Sequence, residues 1–373
     1  MKQSLTLIVK GTRLCNLRCS YCHDWRAGPN QTMRFEVLAR MTATALRDPT
    51  HASVHFIWHG GETTVLPISF YEKALLVQSQ FRREGQRVVN SIQTNATRLT
   101  PEWTSFFKRY GFAVGVSIDG PPDIHDRERT YVDGRPSWAD TMRGIRLLEA
   151  QGISFSVLMV VDEAALDLGA QRLFEFFIDS GIKRFGLLSA RPTNQPDAPP
   201  NTATEHYVSP PRMSRFLMDM YACWERHGDP EVEIRELDHI RKRLHNSPEM
   251  PCTLTGGCIG TFFLIEPNGE IAHCDLFLGD PRYTLGNVMA SSFAEIRQSA
   301  RMRTLVSQNE EVLARLRRCP EFGVCNGWCP HDRYLSVRHN PGHREECCGL
   351  SDLIRFLRSR SRDRMRGVEP VPR

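Results

Sequence analysis

Six short apolar runs, each followed by an amphipathic stretch, restrict the fold of this chain more than any other feature of its sequence. The runs are SLTLIV (4–9), SVHFIWH (53–59), RVVNSIQ (87–93), FAVGVSI (112–118), SFSVLMVV (154–161) and RFGLLSA (184–190). Between them lie helical patterns such as FEVLARMTATALR, FYEKALLVQSQFRR, TPEWTSFFKRY and ADTMRGIRLLEAQ. Alternating strand and helix over about 190 residues implies a parallel sheet with helical crossovers. The runs are apolar throughout, so both sheet faces are expected to be buried. The expected class is α/β, an open six-stranded relative of the eight-stranded barrel, with functional groups at the C-terminal ends of the strands.

The loop after the first run reads LCNLRCSYCHDWR and holds Cys15, Cys19 and Cys22. The chain has 12 cysteines, and they are clustered. After Cys22 none follows until Cys223, which sits in a helical pattern and reads as a packed core thiol. The remaining eight fall between Cys252 and Cys348. The N-terminus has no signal-peptide core and no membrane span, so a cytoplasmic location is expected. Disulfides are disfavoured there, which makes clustered thiols candidate metal ligands. A net charge of +5 with interspersed signs gives no basic stripe for nucleic acid.

A closed zinc site needs four ligands. Three thiols at spacings of three and two, with His23 badly placed beside Cys22, do not supply them. They suit a [4Fe–4S] cube that keeps one iron without a protein ligand, where a small molecule can bind and receive an electron. The Cys-x3-Cys-x2-Cys spacing, with Tyr21 before the last cysteine, resembles the radical SAM superfamily. That resemblance implies a partial (β/α)6 TIM-like barrel. It also implies that S-adenosylmethionine chelates the unique iron and is cleaved to a 5′-deoxyadenosyl radical.

Other motifs fit the same resemblance. HGGET follows the second strand, so Gly60, Gly61 and Glu62 are expected to hold the methionine amino group. Gln93, Asn95, Ser117 and Asp119 stand at the ends of later strands and by resemblance line the cofactor or substrate side; unaided, they read as polar strand caps. Arg129 matches the family's arginine for the carboxylate of S-adenosylmethionine, its alternative being a surface loop arginine.

The late cysteines resemble the SPASM domain, which carries auxiliary iron–sulfur clusters. Gly269 precedes Cys274 by the family interval, and Cys319, Cys325 and Cys329 follow at spacings of five and three. The resemblance assigns Cys252, Cys258, Cys274 and Cys329 to a first auxiliary cluster. It assigns Cys319, Cys325 and Cys347 or Cys348 to a second. Leu316 stands where the family carries a further cysteine, leaving the second cluster one thiolate short. The pair Cys347–Cys348 could both bind, the cluster could keep an open or unusual ligand, or it could be absent; the open or unusual form is the favoured expectation. Zinc binding by these late cysteines is the competing reading.

The expected division is a barrel over 1–205, a helical bridge over 206–250, a SPASM domain over 251–348 and a C-terminal helix with a basic tail over 349–373. The proline-rich segment 191–211 reads as a linker or a loop over the barrel mouth. The chain resembles anaerobic sulfatase-maturating enzymes and maturases of ribosomally made peptides. By that resemblance Asp275 is the candidate general base, a turn or capping aspartate being its plain alternative. Leu316, and departures from the family pattern at YCHDWR and GGET, favour a maturase that forms a crosslink or related C–H modification on a precursor peptide. Formylglycine formation from Cys or Ser of a sulfatase and a non-catalytic electron carrier are the alternatives. A precursor peptide or protein is the expected substrate, and flavodoxin or ferredoxin the reductant. A separate recognition protein is a further candidate partner, because the first strand begins too early to leave room for a leader-binding domain.

Overall fold

The computed structural model describes residues 3–22, 32–192, 207–247, 251–277 and 280–365. His23 and most of the proline-rich segment lie outside the described residues, as do the expectations placed on them. The chain forms two compact units. One comprises 1–158, 193–198 and 259–306; the other comprises 159–192, 199–258 and 307–373.

In the first unit β1 (Gln3–Thr12), β2 (His51–Gly60), β3 (Arg87–Thr94), β4 (Ala113–Ser117) and β5 (Phe155–Val161) follow one another. Each pairs in parallel with the next. β5 carries the chain into the second unit, where β6 (Arg184–Ser189) pairs in parallel with β7 (Glu233–Ile234). The first unit is completed by β8 (Phe262–Ile265), which adds in parallel to the other side of β1, and by β9 (Glu270–Ala272) and β10 (Thr284–Asn287), which continue antiparallel.

The strands are not apolar on both faces. Leu5, Leu7 and Val9 pair with Val54, Phe56 and Trp58, and all six are buried. Helices cover this face: Trp58 meets Tyr71 of helix Ile68–Phe81 edge-on at 5.4 Å, and Tyr71 meets Trp103 of helix Pro101–Tyr110 at 5.6 Å. Burying such aromatics contributes about 1.5–3 kcal/mol each. The opposite face carries Lys10, His55, His59, Ser91 and Gln93, and most of its positions are half-buried. A sealed apolar layer would leave these groups unsatisfied, so this face belongs to a polar interior instead.

Helix ends follow local chemistry. Pro101 opens its helix and Gly111, at φ 65°, closes it. In the second unit helix Pro210–His227 ends at Gly228, φ 71°. Cys223 is buried in that helix, 3.5 Å from an Arg226 nitrogen. Among the described residues no helix is long and apolar enough to cross a membrane.

Candidate cluster and cofactor sites

β1 runs into the cysteine loop, and backbone contacts fix that loop on two sides. Gly61 N–H donates to Thr12 O at 2.9 Å and Glu62 N–H to Leu14 O at 2.7 Å. On the other side, Arg18 N–H donates to Thr130 O at 2.8 Å and Ser20 N–H to Glu128 O at 3.0 Å. The two glycines permit the first approach. A Cβ at Gly60 would lie 2.3 Å from Thr12 O, and one at Gly61 would lie 2.1 Å from Leu14 O. Gly60 also has φ +132°, a conformation side chains rarely adopt.

Glu62 sits inside this turn, fully engaged. One carboxylate oxygen accepts from Thr64 N–H at 2.9 Å and from the Thr64 and Thr94 hydroxyls at 2.6 Å. The other accepts from Asn95 N–H at 2.7 Å. Glu62 therefore ties the end of β2 to the end of β3, and the amino group expected against Gly60, Gly61 and Glu62 meets backbone before carboxylate. Asn95 extends the tie, its amide donating to Asn16 Oδ1 in the cysteine loop at 3.0 Å. Gln93 donates to Ser117 Oγ at 2.8 Å, joining β3 to β4.

Tyr21, Asp119 and Arg129 form one buried cluster. Arg129 donates to the Tyr21 hydroxyl at 2.5 Å and lies 3.7 Å from Asp119 Oδ2; the Tyr21 hydroxyl donates to the same oxygen. Arg129 is thus no surface arginine. Its Nε is a buried donor with no hydrogen-bond partner among the described residues. His125 Nδ1 accepts from Asp119 N–H at 3.2 Å. Burial, with help from Arg129, draws His125 down to about 2 and keeps it neutral.

The triad thiols share this surrounding. Burial pushes Cys15 and Cys19 up; Glu62 reinforces the effect at Cys15, and Arg129 opposes it at Cys19. A bound cation is what makes such thiols bind as thiolates. Leu17 N–H already points at Cys15 Sγ, 3.3 Å away.

Asp275 follows β9 and lies 3.9 Å from the Lys10 ammonium, itself 1% exposed, near the end of β1. Cys274 adopts φ 59°, a tight turn that sets Asp275 beside its own sulfur at 3.9 Å.

In the second unit the thiols gather in two groups. Cys252 lies near Cys258, and Cys258 near Cys329. Burial pushes Cys258 to about 12. Cys319, Cys325, Cys347 and Cys348 form the other group, with Cys348 within hydrogen-bond reach of both Cys325 and Cys347. The buried guanidinium of Arg333 lies near Cys258 and Cys329 of one group and Cys325 and Cys348 of the other. Among the described residues no His, Cys, Asp and Glu side chains converge closely enough for a single metal ion. An iron–sulfur cube spreads its ligands more widely than one ion does.

Residues 9–163 match the Radical SAM superfamily, and residues 258–329 match SPASM, an iron–sulfur cluster-binding domain. The serine-type anaerobic sulfatase-maturating enzyme of Bacteroides thetaiotaomicron is 30% identical over 366 residues, spanning 92% of this chain and 87% of its own. This chain belongs to the radical SAM superfamily. It is a radical SAM enzyme with a SPASM domain, built on the partial TIM-like barrel, and its cofactors are S-adenosylmethionine and [4Fe–4S] clusters. The cysteine-type enzyme of Clostridium novyi is 25% identical, covering 89% of either chain. Among solved structures, anSMEcpe with bound AdoMet and Cp18Cys peptide aligns at TM-score 0.83 and 22% identity, over 98% of this chain and all of that one. Streptococcus suis SuiB aligns at TM-score 0.60 and 16% identity, over 89% of this chain and 74% of its own.

This radical SAM chain also uses residues that its sequence did not single out. Arg13 makes a buried two-point ion pair with Glu266 after β8, at 2.9 and 2.5 Å. Lys10, Asn16, Thr94 and His125 complete the cysteine-loop and strand-end contacts. The one advance signal was position: charged or polar residues flanking apolar runs, such as Lys10 after LTLIV and Glu266 after FFLI.

Proposed function

We propose that this enzyme oxidises a side chain of a protein or peptide substrate, and that the side chain is the Ser or Cys of a sulfatase, converted to formylglycine. The relative at 30% identity carries this reading, because its printed activity is sulfatase maturation and it aligns along 92% of the chain. The crosslinking maturase favoured by the sequence draws on fold likeness to SuiB alone. One argument for it weakens as well: four thiols gather around Leu316's region despite the missing cysteine.

The residues fit the cofactors. Cys15, Cys19 and Cys22 would hold the cluster, the Gly60–Gly61 backbone the amino group, and the unpartnered Nε of Arg129 the carboxylate of S-adenosylmethionine. Once bound, these groups supply a primary carbon radical able to take hydrogen from an unactivated carbon. The chain's own work is positional. Arg129, Tyr21 and Asp119 orient the bound amino acid, and Glu62 and Asn95 hold the strand ends and the cysteine loop in one geometry. Asp275 accepts the proton from the substrate hydroxyl or thiol, and Lys10 fixes its carboxylate. Flavodoxin or ferredoxin is the fitting reductant.

The test is incubation of anaerobically reconstituted enzyme, reductant and S-adenosylmethionine with a sulfatase-derived peptide bearing Ser or Cys, followed by mass spectrometry and hydrazide capture. An aldehyde on the target residue supports the reading. Precursor-peptide crosslinking with no aldehyde from either peptide overturns it in favour of the maturase.

A further inference from the structure

We propose that Cys347 and Cys348 both bind the second auxiliary cluster, the vicinal pair supplying the thiolate that Leu316 does not. The inference rests on the SPASM assignment and is independent of the substrate reading.

Leu316 is 2% exposed and ends helix Ala300–Leu316. Its methyl would lie 3.2 Å from a Cβ on Gly327, so its side chain packs against the turn that follows Cys325. An apolar side chain thus fills the position beside that thiol, and the fourth ligand must come from elsewhere. The vicinal pair lies there. Cys348 is buried and within hydrogen-bond reach of Cys325. Cys347 is half-buried, close to Cys319 and 3.3 Å from the Ser351 hydroxyl.

The backbone treats Cys347 as it treats the other thiols assigned to clusters. Gly349 N–H points at Cys347 Sγ from 3.4 Å, as Gly327 N–H does at Cys325 Sγ from 3.4 Å and Leu17 N–H at Cys15 Sγ from 3.3 Å. Amide donors two residues on stabilise a ligating sulfur and tune its cluster. Gly349 holds this turn at φ +88°, where a Cβ would lie 2.4 Å from Pro210. Ser214 Oγ donates to its carbonyl at 2.8 Å. The pair is therefore fixed against helix Pro210–His227. Neighbouring cysteines are strained as ligands of one ion, but a cube offers a separate iron to each.

Iron and sulfide quantitation with EPR, on anaerobically reconstituted full-length protein, tests this without reference to activity. Wild type should hold about 12 irons per chain, and Cys347→Ala and Cys348→Ala about 8 each. Adding Leu316→Cys to either variant should return the count to about 12, because it restores a thiol beside Gly327. The inference is overturned if either single variant keeps the full count or if wild type holds only about 8. A loss that Leu316→Cys does not reverse marks a structural role and overturns it too.

Discussion

Arg129 and Tyr21, 108 residues apart in sequence, meet at 2.5 Å between guanidinium and hydroxyl. Asp119 completes the cluster, leaving one guanidinium donor, Nε, buried and unpartnered. That donor is the expected partner of a carboxylate. Arg129→Lys keeps the charge and loses the planar fork, so affinity for S-adenosylmethionine should fall about 10- to 100-fold, by about 1.5–3 kcal/mol. Tyr21→Phe should cost less. Anaerobic equilibrium binding measures both, and unchanged affinity in the lysine variant would remove Arg129 from the cofactor site.

Gly61→Ala should fail at the cysteine loop. Its Cβ would stand 2.1 Å from Leu14 O, a backbone atom that cannot swing aside. A cost of about 2 kcal/mol or more is expected, with loss of the first cluster's iron. Thermal melting and iron content of the variant check it; near-wild-type values in both would contradict the close approach.

Glu62→Gln should destabilise the turn by about 1–3 kcal/mol. A carboxamide has one accepting oxygen, so either Asn95 N–H or the Thr64 and Thr94 donors lose their partner. Urea unfolding should show the loss, and Glu62→Ala should exceed it.

Much of this was legible in the sequence. The six runs mark β1 to β6 to within a few residues because apolar periodicity reports burial directly. Cys15, Cys19, Gly60, Gly61 and Arg129 were legible because spacing along the chain encodes their chemistry. The ties between them were not. Asn95 to Asn16, Arg13 to Glu266 and Lys10 to Asp275 join segments 79, 253 and 265 residues apart, and nothing local marks either end. The polar strand face was misread for a related reason: Lys10 and Gln93 sit in apolar runs whose alternation is visible only once pairing is known.

His125 makes stability depend on pH. It is held near 2 against an ordinary 6.5, so the folded chain binds fewer protons than the unfolded one between those values. Stability therefore falls as pH drops below 6.5, by about 1.4 kcal/mol per unit from this group. His51, His55 and His273 shift the same way. His125→Asn should be less stable at pH near 7.5, and the gap to wild type should narrow by about 1 kcal/mol near 5.5. Urea midpoints at the two pH values measure the gap; a constant gap would mean that His125 titrates normally.

Asp275→Asn should separate radical formation from product formation. Cleavage of S-adenosylmethionine to 5′-deoxyadenosine should continue, while product falls about 100-fold or more for want of a proton acceptor. Lys10→Met should lower product formation less and shift its pH profile, since Lys10 acts through Asp275. Equal loss of cleavage and product in Asp275→Asn would mark a structural aspartate.

EPR of the anaerobically reconstituted, reduced protein with and without S-adenosylmethionine bears on the triad itself. Auxiliary clusters remain in a Cys15→Ala, Cys19→Ala, Cys22→Ala variant and serve as its internal reference. Wild type should show a [4Fe–4S]⁺ signal whose g-values move when S-adenosylmethionine is added. The triple variant should lack that signal and form no 5′-deoxyadenosine. A wild-type spectrum indifferent to S-adenosylmethionine, or deoxyadenosine formed by the triple variant, would contradict the assignment of these three thiols.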